Sequence, residues 1–358
     1  MNVLYEYCTG FGKSKKALDS LPKVGKGQWN LIVVPKLVLI DNWKKEIIKW
    51  GYDVKDFEFV TYNSIHKKTL TFYKSAIYDE CHHITDRVKQ YLEVMHTENN
   101  FFLSATVKRD LKFYLQMKFN VKIYEKGLSD AIDEGRLPEP EIILIPLQLG
   151  NVEAKYPIKK KWQGKEYTKM CTQRGVIDDM EGLIKWFKGK VDEGKSNLRF
   201  KWLAACLERN KQLSRFKEEY TVRILTALEL KRTLTFCCDI EQSNRLGFYS
   251  INSKNRQSEK ALKEFNNGDI DHITAVSCLN EGINLQDCEF SVFNFLNSSE
   301  VVVRQKNGRG LRHKTPKFIV PYFEFTREDE LVKKIIADFN PESVKKMSLT
   351  MFEEKYGD

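Results

Sequence analysis

The chain has 358 residues, 42% of them hydrophobic and 30% charged, with a formal net charge of +10. That length suits two domains, each large enough to bury its own core, and the composition is that of an ordinary globular protein. The excess of Lys and Arg favours a polyanionic partner through counterion release.

No basic-then-apolar leader pattern is read at Met1, and the longest apolar run, Leu31 to Ile40, is interrupted by Pro35 and Lys36. It is too short to span a bilayer, so no membrane association is expected. The eight cysteines are scattered without a C-x-x-C pair. This pattern fits reduced thiols and a cytoplasmic location (the host cytoplasm if a phage encodes the chain) better than a disulfide framework or zinc site.

Short apolar runs at Val3–Tyr7, Leu31–Val34, Phe57–Thr61, Ser75–Tyr78 and Phe101–Leu103 alternate with helical patterns such as Val38–Trp50. Such alternation predicts a parallel sheet with helices on its faces. A strand-like run, Glu141–Leu149, follows Pro138 and Pro140. From Asn151 to Lys231 there are 19 Lys/Arg against 11 Asp/Glu, a net +8, with Trp162, Trp186 and Trp202 interleaved. Much of this stretch reads as helix, notably Leu198 to Leu230. Beyond it the strand pattern resumes at Thr233–Cys238, Ile273–Ser277, Ser291–Phe295 and Phe318–Phe323, with a helix over Gln257–Phe265. The expected organisation is α/β: parallel-sheet domains at 1–137 and 226–358, with a linker strand and a mostly helical basic segment at 138–225. Vicinal Cys237 and Cys238 on a strand are expected as buried thiols.

Two strings carry chemistry. Thr9-Gly10-Phe11-Gly12-Lys13-Ser14 follows a strand and opens a helix. Glycines let backbone N–H groups wrap phosphates, Lys13 supplies charge, and the Ser14 hydroxyl can hold Mg²⁺. Tyr7 stands where the general pattern has an earlier glycine. Asp79-Glu80-Cys81-His82 ends an apolar strand, the position of ligand groups in an open parallel sheet. Asp79 would position Mg²⁺, and Glu80 would orient or deprotonate the attacking water.

These strings, in this order, resemble superfamily 2 helicases of the DEAH/DECH kind. Further stretches are similar to that family's motifs: Val33-Val34-Pro35 with Asn42-Trp43, Thr61-Tyr62-Asn63-Ser64, Ser104-Ala105-Thr106, Thr233–Cys238, Asn280–Leu285, and Gln305-x-x-Gly308-Arg309-x-x-Arg312. The resemblance implies two RecA-like domains in tandem that use ATP and Mg²⁺. It implies that Gln305, Arg309 and Arg312 act on the γ-phosphate from the second domain, with Gly282 and Asn284 on the nucleotide. Asn284 stands where the family often has Asp. His82, Ser104 and Thr106 would couple nucleotide state to grip. Nucleic acid, DNA rather than RNA, would pass Pro35, Thr61 and Thr106. Lys159, Lys160, Lys161 and Trp162 are candidates for an added grip, pairing cations with a stacking surface. The glutamine motif that holds adenine in many relatives is not read ahead of the loop, so an aromatic such as Tyr7 or a protein partner is expected to complete that side. A helicase or translocase leads, with three alternatives open: a branched-DNA remodeller, a motor subunit of a restriction or defence complex, and an ATP-gated clamp with little turnover.

Overall fold

A computed structural model describes the chain except for residues 163–164, 230, 248, 253–254, 256, 277–284, 286, 298–312 and 358; the side chains of Lys161 and Trp162 are also outside the description. The described residues divide into two compact units, Met1–Leu137 and those from Pro138 onward.

The first unit is built on six strands: β1 (Asn2–Tyr7), β2 (Asn30–Val34), β3 (Phe57–Thr61), β4 (Phe72–Tyr78), β5 (His96–Ser104) and β6 (Lys122–Lys126). Their order is β3-β2-β4-β5-β1-β6, and every pairing is parallel. β2 is buried along its whole length, as its unbroken NLIVV sequence requires of an interior parallel strand. The helices α1 (Lys13–Asp19), α2 (Val38–Lys49), α3 (Asp86–Val94), α4 (Arg109–Phe119) and α5 (Leu128–Asp133) connect or follow the strands. α2 buries Leu39, Trp43 and Ile47, the i, i+4, i+8 face that the sequence pattern predicts. Because all six strands run the same way, the loops after β1, β2, β3, β4 and β5 emerge along one edge of the sheet.

The second unit carries a seven-stranded sheet. Its strands are β7 (Glu141–Leu147), β10 (Thr233–Cys237), β11 (Ser250–Ile251), β12 (His272–Val276), β13 (Phe290–Val292), β14 (Lys317–Phe323) and β15 (Val344–Lys346), in the order β11-β12-β10-β13-β14-β7-β15. It is also parallel throughout. β8 (Tyr156–Trp162) and β9 (Lys165–Cys171) form a separate antiparallel hairpin. The helices are α6 (Gln173–Asp192), α7 (Arg199–Phe216), α8 (Glu218–Ala227), α9 (Ile240–Leu246) and α10 (Ser258–Asn267), followed by Glu328–Ile336 and Leu349–Tyr356.

The segment 138–225, expected to lie between two domains, is corrected by this topology. β7 is an interior strand, paired with β14 on one side and β15 on the other. Its inward residues Ile143, Ile145 and Leu147 share a core with Val176 and Ile177 of α6, Leu213 of α7 and Ile224 of α8. An apolar strand buried on both faces cannot remain a linker, so the basic helices belong to the second unit. The helix expected over Leu198–Leu230 is two helices, broken at Lys217, whose side chain is fully buried. The lysine-rich run at 159–162 lies in a hairpin strand rather than a helix.

Candidate nucleotide-binding site

β1 ends at Tyr7, and the chain turns through Cys8–Gly12 into α1. Cys8 N–H donates to the Lys126 carbonyl at 2.9 Å and Phe11 N–H to the Cys8 carbonyl at 3.3 Å. Gly10 and Gly12 take φ of +92° and +94°, a conformation that a side chain opposes. Lys13 folds back so that its Nζ donates to the Tyr7 carbonyl at 3.1 Å. The Phe11 ring is buried, with its centroid 4.9 Å from that of Tyr7.

β4 delivers Asp79 and Glu80 to the same sheet edge. Trp43 Nε1 of α2 donates to Asp79 Oδ2 at 2.8 Å, and the Glu80 N–H donates to Asp79 Oδ1 at 3.0 Å. The main chain is held too: Asp79 N–H donates to the Val33 carbonyl at 2.9 Å, and the Tyr62 hydroxyl donates to the Asp79 carbonyl at 2.8 Å. Glu80 adopts φ +47°, an uncommon conformation for a residue with a side chain, and turns the chain away from the strand axis. His82 Nδ1 lies 3.4 Å from Glu80 Oε2 and 2.9 Å from Ser104 Oγ. Ser104 in turn donates to the Thr106 carbonyl at 2.8 Å. One imidazole therefore connects the acid pair after β4 to the turn after β5.

Burial, with the adjacent Glu80 charge second, pushes the Asp79 carboxyl up to about 6; Trp43 and Lys13 act in the opposite direction. An acid pair in that condition is poised to favour a cation beside it. Together with the half-buried Ser14 hydroxyl in the first turn of α1, these oxygens are a hard donor set suited to Mg²⁺. The glycine loop and Lys13 fit a phosphate chain at the same edge.

Thr9, Gly10, Phe11, Gly12, Lys13, Ser14, Asp79, Glu80, His82 and Ser104 thus all lie at the carboxyl ends of β1, β4 and β5. Pro35 and Thr61, at the ends of β2 and β3, are half-buried on that edge, beside the exposed Leu37 and Val38. Thr106 follows in the turn after β5. It is buried, and its hydroxyl has no hydrogen-bond partner among the described residues. Gly282, Asn284, Gln305, Arg309 and Arg312 lie outside the described residues.

In the hairpin, Lys159 is exposed, whereas Lys160 points the other way and pairs with Asp179 of α6. Trp186 is 54% exposed and Trp202 half-buried, so neither is a fully enclosed core anchor. Cys237 and Cys238 are both buried, as expected for structural thiols. Sequence reading grouped Trp43 and Tyr62 with the strand-binding motifs; their hydrogen bonds to Asp79 had no signal in local spacing.

Residues 207–314 match the family model of the helicase conserved C-terminal domain. Among curated proteins, the chain is 23% identical over 340 residues to the DNA 3'-5' translocase XPB2 of Sulfurisphaera tokodaii, covering 86% of this chain and 74% of that one. Among solved structures, S. cerevisiae Dbp5 bound to RNA and ADP BeF3 aligns with a TM-score of 0.60 at 9% identity, covering 99% of this chain and 87% of that one. The Pyrococcus furiosus Hef helicase domain aligns with a TM-score of 0.52 at 11% identity, covering 92% and 94%. The fold is that of tandem RecA-like domains, two parallel sheets each dressed with helices. The chain is thus similar to helicases, in the sequence of residues 207–314 and in fold. No helix among the described residues is long and apolar enough to cross a membrane.

Proposed function

We propose that this chain hydrolyses ATP at the β1 loop and uses the cycle to translocate on, or separate the strands of, nucleic acid, with DNA favoured. The observation that carries the reading is the convergence, on one sheet edge, of the glycine loop with Lys13, the Asp79–Glu80 pair and the His82–Ser104 link. The matched helicase domain and the DNA-translocase relative support it from outside the site.

In this reading the backbone of Thr9–Gly12 and the Lys13 ammonium hold the phosphate chain. Ser14 and Asp79 would hold Mg²⁺, which when bound there neutralises phosphate charge. Trp43 keeps Asp79 aimed through its indole N–H. Glu80 orients the attacking water and receives its proton. His82 shares its contact with Glu80 and Ser104, so a shift of the turn at 104–106 would be transmitted to the group that activates water. Gln305, Arg309 and Arg312 would supply the charge that meets the transition state, and Gly282 and Asn284 the nucleotide contacts from the second domain. A single strand would pass Pro35 and Thr61, its phosphates giving grip without sequence information. Lys159, Lys161 and Trp162 would extend that grip from the hairpin.

ATPase rate measured without nucleic acid and with single-stranded DNA, duplex, forked DNA and RNA tests the proposal. Stimulation by DNA above RNA is expected, and a preference for the forked arm would favour remodelling. A rate indifferent to every nucleic acid would contradict it.

A further inference from the structure

The chain leaving α5 lies directly on the loop that follows β1. Gly135 takes φ +66°, and the backbone N–H groups of Arg136 and Leu137 both return to the Ala131 carbonyl, at 2.9 and 3.1 Å. This turn presses Leu137 against Gly10: a Cβ placed on Gly10 would lie 3.1 Å from Leu137 Cδ2. The same turn sets the Arg136 guanidinium 4.6 Å from the centroid of the Phe11 ring, which also packs against the ring of Tyr7. Glu134 accepts from Arg136 Nε at 2.9 Å and from Lys126 Nζ at 2.8 Å, and the Lys126 carbonyl accepts the Cys8 N–H. Segment 134–137 therefore fastens the loop at Gly10 and Phe11, while the adjoining β6 fastens it at Cys8.

We propose that Arg136 and Leu137 are positioning residues: they hold the loop in the open shape that receives a nucleotide's phosphate groups. A loop with two positive-φ glycines has little intrinsic preference for one conformation. If only a fraction of molecules present the competent shape, apparent affinity falls by that fraction. Leu137 is also the last residue before the second unit, so the strap ties the loop to the covalent connection between the two units. The proposal rests on reading Thr9–Ser14 as the nucleotide loop.

The test uses the full chain with Arg136→Ala, Arg136→Lys, Leu137→Ala and, as a control, Lys13→Ala. Amide hydrogen exchange across residues 8–14 is followed in nucleotide-free protein, and affinity for a non-hydrolysable ATP analogue is measured with Mg²⁺. Arg136→Ala should exchange faster in that segment and bind the analogue on the order of five- to tenfold more weakly. Its kcat at saturating ATP should stay within about twofold of the parent, because the strap touches no reacting group. Arg136→Lys, which keeps the charge but loses the planar stack, should fall between parent and Ala. Unchanged exchange, or faster exchange with unchanged affinity, in both Arg136→Ala and Leu137→Ala would overturn the proposal while leaving the loop assignment intact. Undiminished analogue binding in Lys13→Ala would instead remove the loop assignment, and the strap's role with it.

Discussion

Lys217 and Glu328 form an ion pair shielded from solvent, and breaking it on one side should be among the most destabilising single changes in the second unit. The two side chains are 0% and 1% exposed, with Nζ and Oε1 2.6 Å apart. Lys217 also donates to the Pro321 carbonyl at 3.1 Å, and Glu328 Oε2 accepts the Phe323 N–H at 2.9 Å. Each charge is thus neutralised and hydrogen-bonded, and burial pulls the Lys217 ammonium below its ordinary value. Lys217→Met fills much of the volume but leaves a carboxylate without its cation and Pro321 without its donor. Removing one partner of such a pair costs about 3–5 kcal/mol, a third or more of the stability of an ordinary domain. In Lys217→Met/Glu328→Gln the neutral amide can still accept the Phe323 N–H, and the cost should fall to about 1–2 kcal/mol. Equilibrium urea unfolding of parent, both single variants and the double gives the coupling energy directly. A Lys217→Met variant within about 1 kcal/mol of the parent would refute the reasoning, since it would mean the buried charge can find water or another partner.

Three further expectations can be checked on stability or binding. Gly12→Ala meets no atom within 4 Å but is forced to φ +94°, so it should cost about 1–2 kcal/mol from backbone strain alone; Gly10→Ala adds the contact with Leu137 and should melt lower. Burial holds His272, whose Nε2 lies 3.0 Å from Thr235 Oγ1, down at about 4 against an ordinary 6.5. The unfolded chain then takes up a proton that the folded chain refuses, so stability falls as pH drops through 6.5 toward 4. The loss reaches about 2 kcal/mol by pH 5, and His272→Gln should flatten that slope in pH-dependent unfolding. Lys159→Ala should reduce the salt dependence of nucleic-acid binding, whereas Lys160→Ala should leave it nearly unchanged because Lys160 is engaged with Asp179. Equal effects of the two in salt-titrated binding would remove the distinction.

The interior strands were legible because a parallel strand covered on both faces must be apolar, as in NLIVV and TLTFC. The edge strands β6 and β15 were not. β6 reads KIYEK and β15 reads VKK, since a strand at the margin of a sheet is partly solvated and tolerates charge. The hairpin β8–β9 was hidden for a similar reason: β9 is exposed along all but its last residue and carries lysines. β7 could be recognised as a strand, but sheet order is a property of packing, and nothing in its own residues places it between β14 and β15. At the site, the glycine loop and Asp79–Glu80 are short-range signals fixed by spacing. The links that aim them, Trp43 to Asp79 and His82 to Ser104, join residues distant in sequence and emerge only when the strands are side by side.

The most direct measurement separates nucleotide binding from turnover in Lys13→Ala and Glu80→Gln, with single-stranded DNA present. Glu80→Gln should bind Mg-ATP about as the parent does while turnover falls on the order of a hundredfold or more, because only the water-activating group is lost. Lys13→Ala should lose binding and turnover together. Near-parent turnover in Glu80→Gln, or undiminished ATP binding in Lys13→Ala, would contradict the assignment of this sheet edge as the hydrolytic site.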